Sequence, residues 1–239
     1  MFSSVLAVAF LCGTIPALIW LAFWLFEDRK NPEPKRYIFF TFLAGMCVVV
    51  PLVLPLEKIV CSLISGSAIC PDHPSAAVLF AWAFIEESAK FLAAYAAALH
   101  WRVFDEPLDA VVYMITAALG FAAIENALFL ASPLAAGHVA QTIITGDLRF
   151  LGATLLHTLS SATVGLLLAY TFYRPASIRL RAAVVGVILA TALHATFNFF
   201  ILQKGGGATF AVFLALWLGI VALLLFIERV KHRPAYKYD

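Results

Sequence analysis

The run from Ser75 to Trp101 constrains this chain most: it is largely apolar, yet carries Glu86, Glu87 and Lys90 in its middle. A run of that length reads as a membrane-spanning helix, because a bilayer core takes about 20 apolar residues. Two adjacent carboxylates and an ammonium at mid-span are costly to bury. Ionisable residues at such a depth point to function by default. The question for the remaining sequence is which groups are placed to meet them.

Of the 239 residues, 63% are hydrophobic and 13% charged, about half the charge of an average soluble domain. This is the composition of an all-α, polytopic helical membrane protein. A net charge of +2 is too small to point to nucleic acid as a partner; the bilayer is the partner the composition implies. No polar stretch is long enough for a separate soluble domain. The expectation is one transmembrane domain over 1–239, with a motif-bearing core at about 76–202.

Apolar runs predict seven spans, at about 4–26, 37–56, 76–101, 108–131, 150–173, 180–202 and 208–229. The first lacks the basic flank of a signal peptide and reads as a retained span. Pro51 and Pro55 predict a kink or stop at the end of span two. Asn31-Pro32-Glu33-Pro34 marks a loop, Lys204 to Gly207 a turn, and 132–149 a weakly polar connection that is a loop, an interfacial helix or a re-entrant piece.

Arg29, Lys30, Lys35, Arg36, Arg102, Arg174, Arg179, Arg181, Arg229, Lys231, Arg233 and Lys237 fall on one side of this topology, and only Lys58, Arg149 and Lys204 on the other. The positive-inside rule then puts the N-terminus outside and the C-terminus in the cytoplasm. Cys61 and Cys70 fall in the outward loop between spans two and three, where an oxidising compartment favours a disulfide. Cys12 and Cys47 read as packing residues within spans. Tyr113, Gly120 and Gly165 read the same way, Asp109 as an N-terminal helix charge and Arg149 as an anchor at the outer interface.

The polar residues inside spans are few and ordered. Span three carries Glu86, Glu87 and Lys90, span four Glu125 and Asn126, span five His157, and span six His194 and Asn198. At about 1.5 Å per residue, Glu86 lies about 15 Å from the outer end of its span, Glu125 about 9 Å, His157 about 10 Å and His194 about 12 Å. Four helices of alternating direction thus bring these groups to one level in the outer half of the core. Glu86 and Lys90 share a helix face at i,i+4, as do His194 and Asn198. Glu86 and Glu87 point about 100° apart, so one can face the reaction centre while the other braces it.

Three carboxylates and one ammonium leave a formal charge of −2. A protonated glutamate, a protonated histidine or a divalent cation would each relieve it. Carboxylate and imidazole suit Zn²⁺, with Glu125, His157 and His194 as the candidate ligands. A glutamate beside a polarised water suits general-base hydrolysis, and the Asn198 amide an oxyanion. Ser160 and Ser161 flank His157, but serine in such helices usually bonds its own backbone.

Glu86-Glu87-Ser-Ala-Lys90, Phe121-Ala-Ala-Ile-Glu125-Asn126, His157 and His194-Ala-Thr-Phe-Asn198 together resemble the PrsW family of bacterial intramembrane proteases. The wider likeness is to the CAAX-protease and bacteriocin-processing superfamily, with its EExxxR, FxxxH and HxxxN motifs. Here the basic residue comes one position early and is Lys90. Glu125 stands where the superfamily has His, followed by Asn126, the ending the PrsW branch shows. The resemblance implies an enzyme of the bacterial cytoplasmic membrane, a metalloprotease or a glutamate-dependent protease without zinc, that makes the first cut in a single-pass membrane substrate, typically an anti-sigma factor, near the extracytoplasmic face. Glu86, Glu87, Glu125, His157, His194 and Asn198 would be catalytic, with Lys90 and Asn126 in support. The residues by themselves leave two other readings open: a proton- or cation-coupled transporter using the same Glu/His set, and a non-catalytic seven-span receptor or scaffold.

Overall fold

The computed structural model describes residues 2–27, 31–67, 69–71, 73–204 and 206–231. Arg29, Lys30, Arg233 and Lys237 of the charge count, and Gly205 of the expected turn, lie outside the described residues. Among the described residues the chain is all-α: α1 Phe2–Glu27, α2 Lys35–Val48, α3 Leu54–Ser65, α4 Ala76–Ala94, α5 Asp109–Ala135, α6 Val139–Leu148, α7 Thr154–Tyr170, α8 Ala176–Lys204 and α9 Gly206–Lys231.

Three π-helical turns, at Val49–Val53, Tyr95–Leu99 and Arg149–Ala153, splice neighbouring helices or extend them. The first decides between the kink and the stop expected in span two: the helix does not stop. Proline deletes one helical hydrogen bond and crowds the preceding turn. A wider turn absorbs Pro51, and Pro55 falls in the first turn of α3. The helix therefore runs on from Lys35 to Ser65. It ends at Gly66, whose φ of 67° gives the left-handed C-cap that glycine adopts without strain. Cys61 consequently sits on α3 and not in a loop, and the structure joins it to Cys70 in a disulfide.

The 132–149 connection is also mostly helix. α5 continues to Ala135, and α6 runs through the third π turn into α7 as one stretch, Val139–Tyr170. Among the described residues, six such stretches are long and apolar enough to cross a membrane. The expected span three is helical over 76–99 but falls outside that set by composition, since any 18-residue window of it holds Glu86, Glu87 and Lys90.

α5 is the centre of the bundle. Every residue from Asp109 to Ala123 is buried, which suits a helix apolar all round. α1, α2 and α7 pack on it directly, and α8 bridges α7 to α4. Close approach is the means. A Cβ on Gly120 would collide with the Phe42 carbonyl, one on Gly45 with the Ala117 carbonyl, and one on Gly165 would lie 2.6 Å from the Val111 Cα. Small residues of this kind let membrane helices touch backbone to backbone. Cys12 and Cys47 do not contribute to this packing; both are exposed on the outer surface of α1 and α2.

Gly120→Val should therefore force α2 off α5 and cost about 1–3 kcal/mol or more. Gly146→Ala, whose new methyl meets only Leu130 Cδ2 at 3.9 Å, should be neutral or slightly stabilising. Thermal unfolding of the two variants in one detergent compares them.

Candidate active site

Lys90 lies at the middle of the polar cluster. It has no exposed surface, and its ammonium donates to Glu87 Oε1 (2.8 Å), His157 Nδ1 (2.6 Å) and, more loosely, Glu86 Oε2 (3.4 Å). The Phe121 ring covers its remaining side at 4.4 Å. The expected i,i+4 pair with Glu86 is thus the longer contact, and the i,i+3 pair with Glu87 the tighter one.

The two glutamates differ. Glu87 is completely buried and saturated. It accepts from Lys90, from Ser160 Oγ (2.9 Å) and Ser161 Oγ (3.2 Å), and from His194 Nδ1 (2.8 Å). Ser160 and Ser161 therefore belong to the site, beyond the backbone-bonding role expected of them. Glu86 is 5% exposed and lines a cavity of about 440 Å³. Its Oε2 lies 3.9 Å from His157 Nδ1 and 3.9 Å from His194 Nε2, close to both and bonded to neither.

The far side of each imidazole rests on a carboxylate. His194 Nδ1–H donates to Glu87, which leaves Nε2 as the free lone pair. His157 Nε2–H donates to Glu125 Oε2 (2.7 Å), which leaves Nδ1 facing Lys90 and Glu86. Carboxylate partners of this kind fix tautomer and ring orientation. Glu125 is itself gripped by Arg149 Nη2 (2.5 Å). Arg149 Nε also donates to Asn126 Oδ1 (2.6 Å), and Asn126 Nδ2 donates to Thr154 Oγ1 (3.1 Å). The Arg149 guanidinium stacks on Phe129 at 4.0 Å. This corrects the reading of Arg149 as an interface anchor: the third π turn carries it inward to the cluster.

Glu86, Glu125, His157, His194 and Asn198 all line the one cavity. So do Arg149 and Glu57, neither of which sequence reasoning places there. Glu57 arrives because the helix runs through Pro55 instead of stopping. The groups whose ligand atoms converge within 4.8 Å are Glu86, His157 and His194; Glu125 stands behind His157. One oxygen and two carboxylate-backed imidazoles are a donor set that fits Zn²⁺.

A glutamate lining a cavity between two oriented histidines, inside a polytopic membrane bundle, is an arrangement suited to hydrolysis within the membrane. The family model described as PrsW family intramembrane metalloprotease matches residues 33–226. The chain is 30% identical to Protease PrsW of Geobacillus kaustophilus over 64% of its own length and 62% of that relative, so this match spans just under two thirds of the relative. It is 23% identical to Protease PrsW of Bacillus subtilis over 78% of this chain and 79% of that one, and 29% identical to Protease PrsW of Clostridioides difficile over 81% and 79%. No solved structure gives a significant match. The chain belongs to the PrsW family of intramembrane metalloproteases, which makes it by class a peptidase of the bacterial membrane.

Removing one partner of a buried charge network leaves the others uncompensated, at a cost of about 3–5 kcal/mol. Lys90→Met should therefore be among the most destabilising single substitutions at the site, more so than Asn198→Ala on the cavity wall. The drop in thermal midpoint and in folded yield after solubilisation measures it.

Proposed function

We propose that this chain hydrolyses a peptide bond of a single-pass membrane protein near its extracytoplasmic side, a first, site-1-type cut, with an anti-sigma factor as the substrate class. The observation that carries the reading is the asymmetry of Glu86 and Glu87: one open to a cavity between two histidines, the other locked as their brace. The N-terminus is outside and the 27–36 linker in the cytoplasm, as the charge distribution requires. The cavity is walled by Glu57, Arg149, Leu202 and Thr209. Leu202 and Thr209 lie near the helix ends that this orientation turns outward, and Glu57 and Arg149 in the outer third of their helices, so water and substrate come from that side. A mainly apolar hollow of about 670 Å³ between α7, α8 and α9 shares Leu156 and Phe197 with the cavity wall, and the substrate's own span rests there.

In the mechanism, water in the cavity gives its proton to Glu86 as it attacks the scissile carbonyl. The Lys90 ammonium, 3.4 Å from Glu86 Oε2, holds that carboxylate toward the water. His194 Nε2 orients the water, and His157, whose Nδ1 accepts from Lys90, holds the ammonium beside it. Asn198 supplies an amide N–H to the oxyanion, and Glu86 returns its proton to the leaving amine. In a metal-bound form Glu86, His157 and His194 would hold Zn²⁺, which would supply Lewis-acid polarisation of water and carbonyl, and Glu86 would then be a ligand in place of the base. Glu87 and Glu125 would brace the ligand imidazoles, and Lys90 would keep its contact with Glu87.

Glu86→Gln keeps the shape of the site but removes the base. It should abolish cleavage while the thermal midpoint holds. N-terminal proteomics of membranes from cells carrying the wild type or this variant tests the substrate class. A new N-terminus just outside a single span, present only with the wild type, is expected; equal cleavage in both would sink the assignment of Glu86.

Mass spectrometry of the detergent-purified protein tests the metal. About one Zn²⁺ per chain, lost in His194→Gln, is expected. An active preparation without zinc would leave Lys90 as the cation that balances the site.

A further inference from the structure

At the opposite end of α5, about 24 Å from Glu125 by helical rise, the structure gathers a second set of acidic groups. Glu33 from the α1–α2 linker, Glu106 from the α4–α5 connection and Asp109 from the first turn of α5 offer oxygens that all lie within 4.8 Å of one another. Asp109 is 1% exposed. Its Oδ2 accepts from the backbone N–H groups of Asp105 (2.9 Å) and Glu106 (2.8 Å), whereas its Oδ1 is buried with no hydrogen-bond partner.

Among the described residues the surroundings supply hydrogen bonds but no ion pair. The Tyr113 hydroxyl donates to Glu33, and Asn31 Nδ2 donates to Glu106 Oε2 (2.9 Å). No lysine or arginine among the described residues forms a salt bridge with Glu33, Glu106 or Asp109. Three ionised carboxylates around a buried, unpaired oxygen repel one another, and an unpaired buried carboxylate oxygen is costly. Something positive belongs between them.

We propose that Glu33, Glu106 and Asp109 form a divalent-cation site of the Ca²⁺ class that ties the 31–34 linker to the 105–109 turn. The ligand type selects the ion. All-oxygen donors suit hard cations and not zinc. Ca²⁺ accepts several carboxylates in irregular geometry, whereas Mg²⁺ demands a near-ideal octahedron and keeps several waters. Three carboxylates brought from two loops and a helix start suit the more tolerant ion. Asn31, the Tyr113 hydroxyl that braces Glu33, and the two N–H groups that fix Asp109 Oδ2 hold the carboxylates in place around it. Its role is structural: a clamp across two loops that meet at the foot of the central helix. It shares no residue with the Glu86 cavity.

The test is thermal unfolding of the full-length chain in detergent, stripped with chelator and then titrated with CaCl₂ or MgCl₂. Saturable stabilisation by Ca²⁺ of about 4 °C, larger than with Mg²⁺, is expected. Asp109→Asn should abolish that rise, because it keeps the turn's hydrogen bonds and removes the charge. Glu86→Gln should leave the rise intact, which separates this site from any ion at the catalytic cluster. If Asp109→Asn does not fold, Glu106→Gln serves in its place and should weaken the Ca²⁺ response at least tenfold in midpoint concentration. A wild type indifferent to both ions, with Asp109→Asn more stable than wild type at neutral pH, would overturn the proposal and mean that Glu33 and Asp109 share a proton instead.

Discussion

A fully buried ammonium is the constraint around which this bundle is arranged. Taking a charge of that size out of water costs several kcal/mol even after relaxation. Lys90 offsets the cost only because acceptors reach it from its own helix and from α7, with the Phe121 ring of α5 over the fourth side. The contacts with His157 and Phe121 exist only once α7 and α5 are docked on α4. α8 then joins through His194, whose Nδ1–H completes the shell of Glu87. In a lipid environment there is no hydrophobic drive between helices, and packing together with hydrogen bonds across helices does the work. The charged cluster is therefore both the chemistry of the protein and a large part of what sets the mutual order of these four helices.

The central helix is where the two requirements meet. α5 presents backbone to backbone at Gly45–Ala117, Phe42–Gly120 and Gly165–Val111, so α2 and α7 come close enough for short polar side chains to bridge. One turn beyond Phe121 it carries Glu125 and Asn126 into the Arg149 grip. At its foot it carries Asp109 and Tyr113 against the linker. Its apolar half supplies the tight contact, and its two polar ends are spent on the catalytic cluster and on the loops.

The helical membrane fold and most of the candidate site are legible in the amino-acid sequence, because each signal is local. Apolar runs of the right length predict spans, and charges within them are too costly to be incidental. What escapes such a reading is whatever depends on a helix failing to stop. Pro51 and Pro55 read as a kink or an end, and only the structure shows that a π turn carries the helix past them and delivers Glu57 to the cavity wall. The 132–149 stretch reads as a weakly polar connection, yet it is mostly helix, joined by a π turn to α7, and that turn aims Arg149 inward. The arginine does leave a trace in the sequence: a cluster counted at −2 lacks a cation, and Arg149 stands at the mouth of the span that carries His157. For Ser160 and Ser161, the general habit of serine in helices points to the backbone alone. That habit gives way when a carboxylate with unfilled lone pairs lies opposite.

The adjacent glutamates show what sequence alone does not distribute. Glu86 and Glu87 have the same chemistry and nearly the same depth, and either could serve as base. The 100° turn between them places Glu87 against α7 and α8, where two hydroxyls, an ammonium and an imidazole N–H fill its lone pairs. A carboxylate so satisfied is a poor proton acceptor, since taking a proton would break bonds already made. Glu86 faces the cavity with one long contact to Lys90 and two histidine nitrogens just beyond hydrogen-bond range. Space for one small group remains between them. The environment thus assigns the roles: the saturated carboxylate holds the imidazole still, and the unsaturated one is left to move a proton.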